Sequence, residues 1–254
     1  MSIKKIVNKE KQWHDERYKD GEDKRVNINI ASRIAWYPYS RFYKKIKNLN
    51  NAKVLEIGCG NSLSKAKQLI SQGCHYTGMD ISEECINANI RESRKLGLNV
   101  NYLVDDAHVL NLLENEKFDI ILIMGTLHHL DIDLVLPKLD NLLEKNGSVL
   151  LWEPMGTNPF LNLYRFFTPN IRTEDEHPLT FKDINNLKRI FKKTSYELHT
   201  ILAFLSLPFF IFKYKPIEPL GKSISYFLGK IDQYLCRIPL IKRLAWIIII
   251  EAKK

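Results

Sequence analysis

Residues 53–61 read Lys-Val-Leu-Glu-Ile-Gly-Cys-Gly-Asn (KVLEIGCGN), a short apolar run that stops on two glycines one residue apart. Val54, Leu55 and Ile57 predict a strand buried on both faces. Gly58 and Gly60 predict a sharp turn where backbone passes close to a ligand. A dinucleotide cradle of the G-x-G-x-x-G type needs a third glycine at position 63, which is Leu63, so a pyrophosphate is poorly served. Glu56 argues the same way, since a carboxylate two positions before the turn repels phosphate and suits a ligand with a cationic group.

Working outward, four more runs of the same kind follow. They predict strands at His75–Asp80, Val100–Asp106, Phe118–Gly125 and Gly147–Pro154. Between them, Leu63–Ser71, Glu83–Leu96 and Leu134–Leu143 carry apolar residues at helical spacing. This alternation predicts a parallel sheet with crossover helices. Right-handed crossovers place the carboxyl ends of the strands on one edge, where open α/β sheets bind their ligands. That edge would carry Asp80, 20 residues beyond Gly60, and then Asp105-Asp106-Ala107. A carboxylate at Asp80 suits ribose hydroxyls. The ligand implied has a ribose, a ring that donates a hydrogen bond and a cationic end, without a pyrophosphate. S-adenosylmethionine has these features.

The segments VLEIGCGN, GMDIS, DDAHVL, FDIILIMGTLHHL and LEKNGSVLLWEP, in that order over residues of about 50–155, resemble the motif series of class I S-adenosylmethionine-dependent methyltransferases. The likeness is to the branch typified by quinone-biosynthesis and other small-molecule methyltransferases. It implies an α/β, Rossmann-like seven-stranded sheet, its last strand antiparallel and inserted beside the sixth, with helices on both faces. It implies S-adenosyl-L-methionine as cofactor and S-adenosyl-L-homocysteine as product. Carried over by position, Glu56 would sit near the methionine amino group, directly or through water. Gly58, Cys59 and Gly60 would form the turn beside the cofactor. Asp80 would accept the ribose hydroxyls and Ile81 would pack on the adenine. Asp106 would take the adenine amino group, with the Ala107 amide beside it, and Met124 with Gly125 would pass under the methionine.

On either side of this series the chain is more individual. Residues 1–48 are expected to form an N-terminal helical cover, with Asn27–Lys47 helical and rich in aromatics (Trp36, Tyr37, Tyr39, Phe42, Tyr43). Residues 49–254 would be the methyltransferase domain. Thr180–Lys193 predicts a helix, Thr194–Ala203 a sixth strand and Leu244–Glu251 the last strand. Residues 204–243 would form a basic, apolar helical insert before that strand. Within it Leu220, Ile224, Phe227, Leu228, Ile231 and Leu235 make a stripe at helical spacing. Such a stripe either packs on the sheet or, flanked by lysines such as Lys213 and Lys215, rests on an anionic membrane surface or admits a lipid-linked acceptor.

The charge distribution sharpens that choice. The net charge is +9, yet residues 1–154 hold 22 Lys and Arg against 21 Asp and Glu, whereas residues 155–254 hold 16 against 8. An excess confined to the last hundred residues points to a surface with its own partner. Nucleic acid is a less favoured one: the fourth strand ends in Met124-Gly125-Thr126-Leu127 rather than the N-P-P-Y-like residues of base-amino methyltransferases. A catalytically silent methyltransferase-like subunit is a further alternative, opposed by the intact Glu56, Gly58, Gly60, Asp80 and Asp106 set.

The expected reaction is in-line transfer to an oxygen or a carbon of a small-molecule or lipid-linked acceptor, and transfer to a hydroxyl needs a base. The candidates are His128, His129 and His177. The histidine pair is read first as structural or cofactor-proximal. His177, in the segment Arg172-Thr173-Glu174-Asp175-Glu176-His177, is the base expected, unless that loop is only anchored by an Arg172–carboxylate pair. No regular ligand spacing makes a metal centre of either. The four cysteines, Cys59, Cys74, Cys85 and Cys236, show no C-x-x-C spacing, so neither zinc nor a disulfide framework is suggested. Residues 1–25 lack the apolar core of a leader. The longest apolar stretch, Ile201–Phe212, falls short of the roughly 20 residues that span a bilayer. A reduced, cytoplasmic protein, with a membrane-surface role open to its C-terminal part, is the expectation.

Overall fold

The strands form where apolar residues alternate between two covered faces. In the computed structural model, which describes residues 3–19, 28–168, 173, 176–211 and 217–254, these are β1 (Lys53–Ile57), β2 (His75–Asp80), β3 (Asn101–Val104), β4 (Phe118–Met124), β5 (Leu143–Pro154), β6 (Lys193–His199) and β7 (Ile247–Lys253). They make one sheet in the order β3-β2-β1-β4-β5-β7-β6. β7 runs antiparallel to both neighbours, β5 and β6, while β1 is parallel to β2 and β4. The sheet is the seven-stranded arrangement implied by the resemblance.

Helices α1 (Ile3–Tyr18), α2 (Ile28–Ile34), α3 (Trp36–Ile46), α4 (Ser64–Ser71), α5 (Glu83–Lys95), α6 (Ile132–Leu142), α7 (Pro159–Phe167), α8 (Phe181–Ile190), α9 (Pro208–Ile211) and α10 (Glu218–Leu235) surround it. One face packs Leu55, Ile57, Ile121, Ile123, Ile248 and Ile250 against α6 and α8 through Leu136, Leu139, Ile184 and Leu187. The other packs Val54, Leu122 and Ile249 against Phe42 and Ile46 of α3 and Leu69 of α4. Each such side chain, fully buried, contributes about 1.5–3 kcal/mol. Among the described residues no helix is long and apolar enough to cross a membrane.

Three elements differ from the sequence reading. β6 ends at His199 rather than Ala203, because Thr200 takes a left-handed conformation (φ 70°). The next three amides, of Ile201, Leu202 and Ala203, then donate to the Asp232 carboxylate of α10 at 2.7–3.1 Å. A side chain more than thirty positions away in sequence thus stops the ladder. β7 starts later than expected because residues Ile241–Leu244 form a 3₁₀ turn.

The third difference lies in the insert. The stripe of large apolar residues on α10 is only partly packed: Gly221, Ser225, Gly229 and Asp232 are the buried residues. Ile224, Leu228, Ile231 and Leu235 are half-buried, with Leu228 against Ile34 and Phe210, and Leu220 and Phe227 are 54% and 63% exposed. A Cβ on Gly229 would overlap the Cβ of Tyr37, and Ser225 Oγ donates to the Ile34 carbonyl at 2.7 Å. The helices approach too closely for large side chains between them.

Candidate functional site

Gly58 and Gly60, directly after β1, take left-handed conformations (φ 71° and 58°). A Cβ on Gly58 would overlap the Thr126 hydroxyl, so this position requires glycine twice over. Gly60 donates its amide to Asp80 Oδ2 at 3.0 Å, and Ser82 donates its own to Asp80 Oδ1 at 3.0 Å. The end of β2 and the turn after β1 are thereby locked together. Asp106, beyond β3, accepts from the His108 amide (2.9 Å) and from His108 Nδ1 (2.8 Å). Because His108 Nε2 accepts the Asp131 amide at 3.0 Å, the ring proton sits on Nδ1. Burial raises the Asp106 carboxyl, but these His108 hydrogen bonds outweigh it and hold the group below its ordinary value.

Gly58, Cys59, Gly60, Asp80, Ile81, Asp106, Ala107, Met124 and His129 line one cavity of about 430 Å³ at the carboxyl edge of the sheet. Glu56 and His177 do not. Glu56 is fully buried behind the turn, where Tyr76 donates its hydroxyl at 2.6 Å and Lys65 Nζ stands 2.8 Å away. Lys65 is the member of that pair that reaches the cavity. Burial opposes its charge, but the Glu56 carboxylate outweighs burial and keeps the ammonium protonated. The charge presented to a ligand here is therefore positive, which suits a carboxylate end rather than the amino end expected of Glu56. His177 is exposed and lines a neighbouring cavity of about 320 Å³ that shares His129 and His108. Cys59 packs rather than reacts: a hydrogen bond with the Cys85 thiol, together with burial, keeps its own thiol protonated.

The other end of the cavity is built from elements far apart in sequence. The turn after β4 is fixed from behind by Glu153 of β5. One of its oxygens accepts the Thr126 and Leu127 amides at 3.0 and 2.9 Å, and the other meets His128 Nδ1 at 2.6 Å. His129 stands in front of it, its Nδ1 3.3 Å from Thr173 Oγ1. Helix α1 closes the roof. Ser82 donates to its Asp15 at 2.7 Å, and Glu10, His14 and Tyr18 face the cavity. Burial holds the Tyr18 phenol well above its ordinary value.

Glu10, His14, Tyr18, Lys65, His108 and Glu153 are site residues that the sequence reading missed. His108 stands inside the quoted DDAHVL motif, and Glu10 and His14 lie four apart, one helical turn. Arg172, Glu174 and Asp175, read as part of the His177 segment, lie outside the described residues. Among the described residues two triples, Cys59–Asp80–Cys85 and His128–His129–Glu176, bring donor atoms within 4.8 Å of one another. Asp80 is engaged by two amides and His128 by Glu153, so neither reads as a metal centre.

Comparison with known proteins agrees with this geometry. The methyltransferase domain family matches residues 48–203. A ubiquinone biosynthesis O-methyltransferase of Pelagibacter ubique is 33% identical over 106 residues, 41% of this chain and 43% of that one. Its counterpart in Coxiella burnetii is 31% identical over 116 residues, 46% and 49% of the two chains. The chain thus spans about half the length of these curated relatives. In fold it is similar to magnesium protoporphyrin IX methyltransferase of Synechocystis PCC 6803 with bound SAM (TM-score 0.54, 13% identity, 98% and 97% covered). The cyclopropane synthase MmaA2 of Mycobacterium tuberculosis is comparably similar (TM-score 0.57, 13% identity, 85% and 84% covered). A left-handed glycine turn, carboxylates at or just beyond the next two strand ends and a family match over most of the sheet converge on one assignment: the chain belongs to the methyltransferase domain family.

Proposed function

We propose that the chain methylates an oxygen of a small-molecule or lipid-linked acceptor, with His129 receiving the acceptor's proton. The observation that carries this reading is the continuity of the cavity, from Asp80 and Asp106 at one end to His129 at the other. The cradle fits the cofactor. Asp80 and Asp106 would hold its ribose and adenine, the glycine turn would pass beside it, and Lys65 would meet its carboxylate. When bound, S-adenosylmethionine supplies a methyl group on a positively charged sulfur.

The chain's own part is to position and to keep water out. The Glu153-braced turn fixes His129, and α1 roofs the space above it. His177 stands exposed on the neighbouring cavity, so the base role is given to His129. The relatives named as O-methyltransferases support an oxygen acceptor.

A surface feature supports the lipid-linked form. No residue of α7 is buried, and Phe160, Phe166 and Phe167 are 72%, 76% and 71% exposed. The helix is pinned at its start by Asn158, which donates to the Leu244 carbonyl, beside Lys242 and Arg243. An aromatic helix next to cations fits an anionic lipid surface.

The test is methyl-labelled cofactor, the full chain and a cell extract, followed by partition into organic, small-solute, protein and nucleic-acid fractions. Label in the organic phase is the expected result. Label in the small-solute fraction would keep the reaction and remove the lipid, and label in nucleic acid would overturn the acceptor class.

A further inference from the structure

Glu10 has no part in the sequence motifs, yet it is one of the most buried acidic groups at the acceptor end, 6% exposed on the cavity face of α1. Its Oε1 lies 3.4 Å from His129 Nδ1 and its Oε2 lies 3.4 Å from His14 Nε2. Both oxygen neighbours of His129 Nδ1, the Glu10 carboxylate and the Thr173 hydroxyl, can accept a hydrogen bond from it.

We propose that Glu10 is a positioning residue for methyl transfer: it holds the His129 proton on Nδ1 and leaves Nε2 free to take the proton of the acceptor hydroxyl. The inference rests on the O-methylation reading above. In the transfer, the acceptor oxygen gains the C–O bond while the bond from sulfur to that carbon breaks, its electron pair leaving with sulfur as a neutral thioether. The O–H pair stays on oxygen and the proton goes to His129 Nε2. The resulting imidazolium faces the Glu10 carboxylate, which stabilises it without itself becoming protonated.

The wider surroundings agree. Burial alone would lower the His129 imidazole, but Glu10, followed by Glu176 and Glu153, outweighs it and holds the ring above its ordinary value. Burial likewise raises Glu10, and its contacts with His129 and His14 outweigh that and hold it low. The other groups around the ring are His128 on the same turn, its ring centroid 4.2 Å away, and His14, 6.0 Å away. His108, Asp131, Asp133, His177, Lys182 and Asp183 face it across the neighbouring cavity. The negative groups nearest the ring come from α1, β5 and the segment before α8, and of these Glu10 meets the ring directly, at 3.4 Å.

The test is nitrogen-15 NMR of histidine-labelled full chain, with His129→Asn used to assign the signal and S-adenosylhomocysteine affinity followed by calorimetry. In the wild type, neutral His129 should carry its proton on Nδ1 and titrate above free histidine. In Glu10→Gln the titration should move to lower pH and the Nδ1–H form should lose its dominance. A wild-type ring protonated on Nε2, or a titration that ignores Glu10→Gln, would overturn the proposal even if the variant folds poorly, because the first reading needs no variant. Failure of the wild type to bind S-adenosylhomocysteine would instead strike the cofactor reading and leave the tautomer result standing.

Discussion

The two ends of the cavity are built on different principles. At the cofactor end Gly58, Asp80, Asp106 and Met124 sit at or just beyond the ends of four neighbouring strands, which the sheet brings together, and Lys65 of α4 joins them. At the acceptor end the residues come from α1, the turn after β4, β5 and the segment before α8, joined by side-chain contacts such as Glu153 to His128 and Glu10 to His129. The first end is specified by where strands stop. The second is specified by what packs over them, and there substrate identity is set with little constraint from the fold.

If that contrast holds, damage at the cofactor end should be the most severe. Gly58→Ala forces an L side chain into left-handed backbone and onto Thr126. The expected cost is about 3 kcal/mol or more, read as a fall in the denaturant midpoint together with loss of S-adenosylhomocysteine binding. Asp80→Ala removes the acceptor of the Gly60 and Ser82 amides as well as the expected ribose partner. Loss of a charged hydrogen-bonding group should weaken S-adenosylhomocysteine by roughly 10–100-fold, and unchanged affinity in calorimetry would undo the cofactor assignment.

The C-terminal insert supplies a paired test. Gly229→Ala should cost about 1–3 kcal/mol through overpacking against Tyr37, whereas Phe227→Ser, at an exposed position, should cost less than about 0.5 kcal/mol. A larger cost for Phe227 would restore the apolar stripe as the packed face.

A pH-dependent contribution comes from Glu197 of β6, which Arg41 of α3 grips through Nε (3.0 Å) and Nη2 (2.8 Å). The His199 contact first, and then Arg41 against burial, lower its carboxyl to about 2. A depressed acid contributes stability that is present above its unfolded value near 4.5 and is lost as pH falls through about 2. Glu197→Gln should therefore flatten the acid limb of the stability profile by about 1 kcal/mol, allowing for partial exposure of the pair. An unaltered limb in acid titration would place that dependence elsewhere. His177→Ala, the smallest effect, should leave turnover within a few-fold; a collapse would return the base role to His177.

The same contrast explains what could be read from the chain. Strand ends are local: an apolar run, two glycines and an aspartate at the right interval are visible within 60 residues, and β2 lies where its residues predict. A helical cover is expected over residues 1–48, but the part α1 plays in the cavity is not legible, because the face it turns inward mixes Ile6 and Val7 with Glu10, His14 and Arg17 and no apolar period marks it. The end of β6 depends on Asp232, whose three amide contacts cannot be seen from the strand's own residues. On α10 the informative signal was the small residues four apart, Gly221, Ser225 and Gly229, which allow close helix approach. Of the large residues between them, which form the stronger pattern, Leu228 packs at the edge of the contact while Leu220 and Phe227 face outward.

The most direct measurement is hydrogen–deuterium exchange on the full chain with and without S-adenosylhomocysteine. The two-ended cavity predicts slowed exchange in residues 57–61, 80–82, 105–107 and 124–126, and also in α1, which shares no motif with them. Protection absent from those strand ends, or confined to the insert, would contradict it.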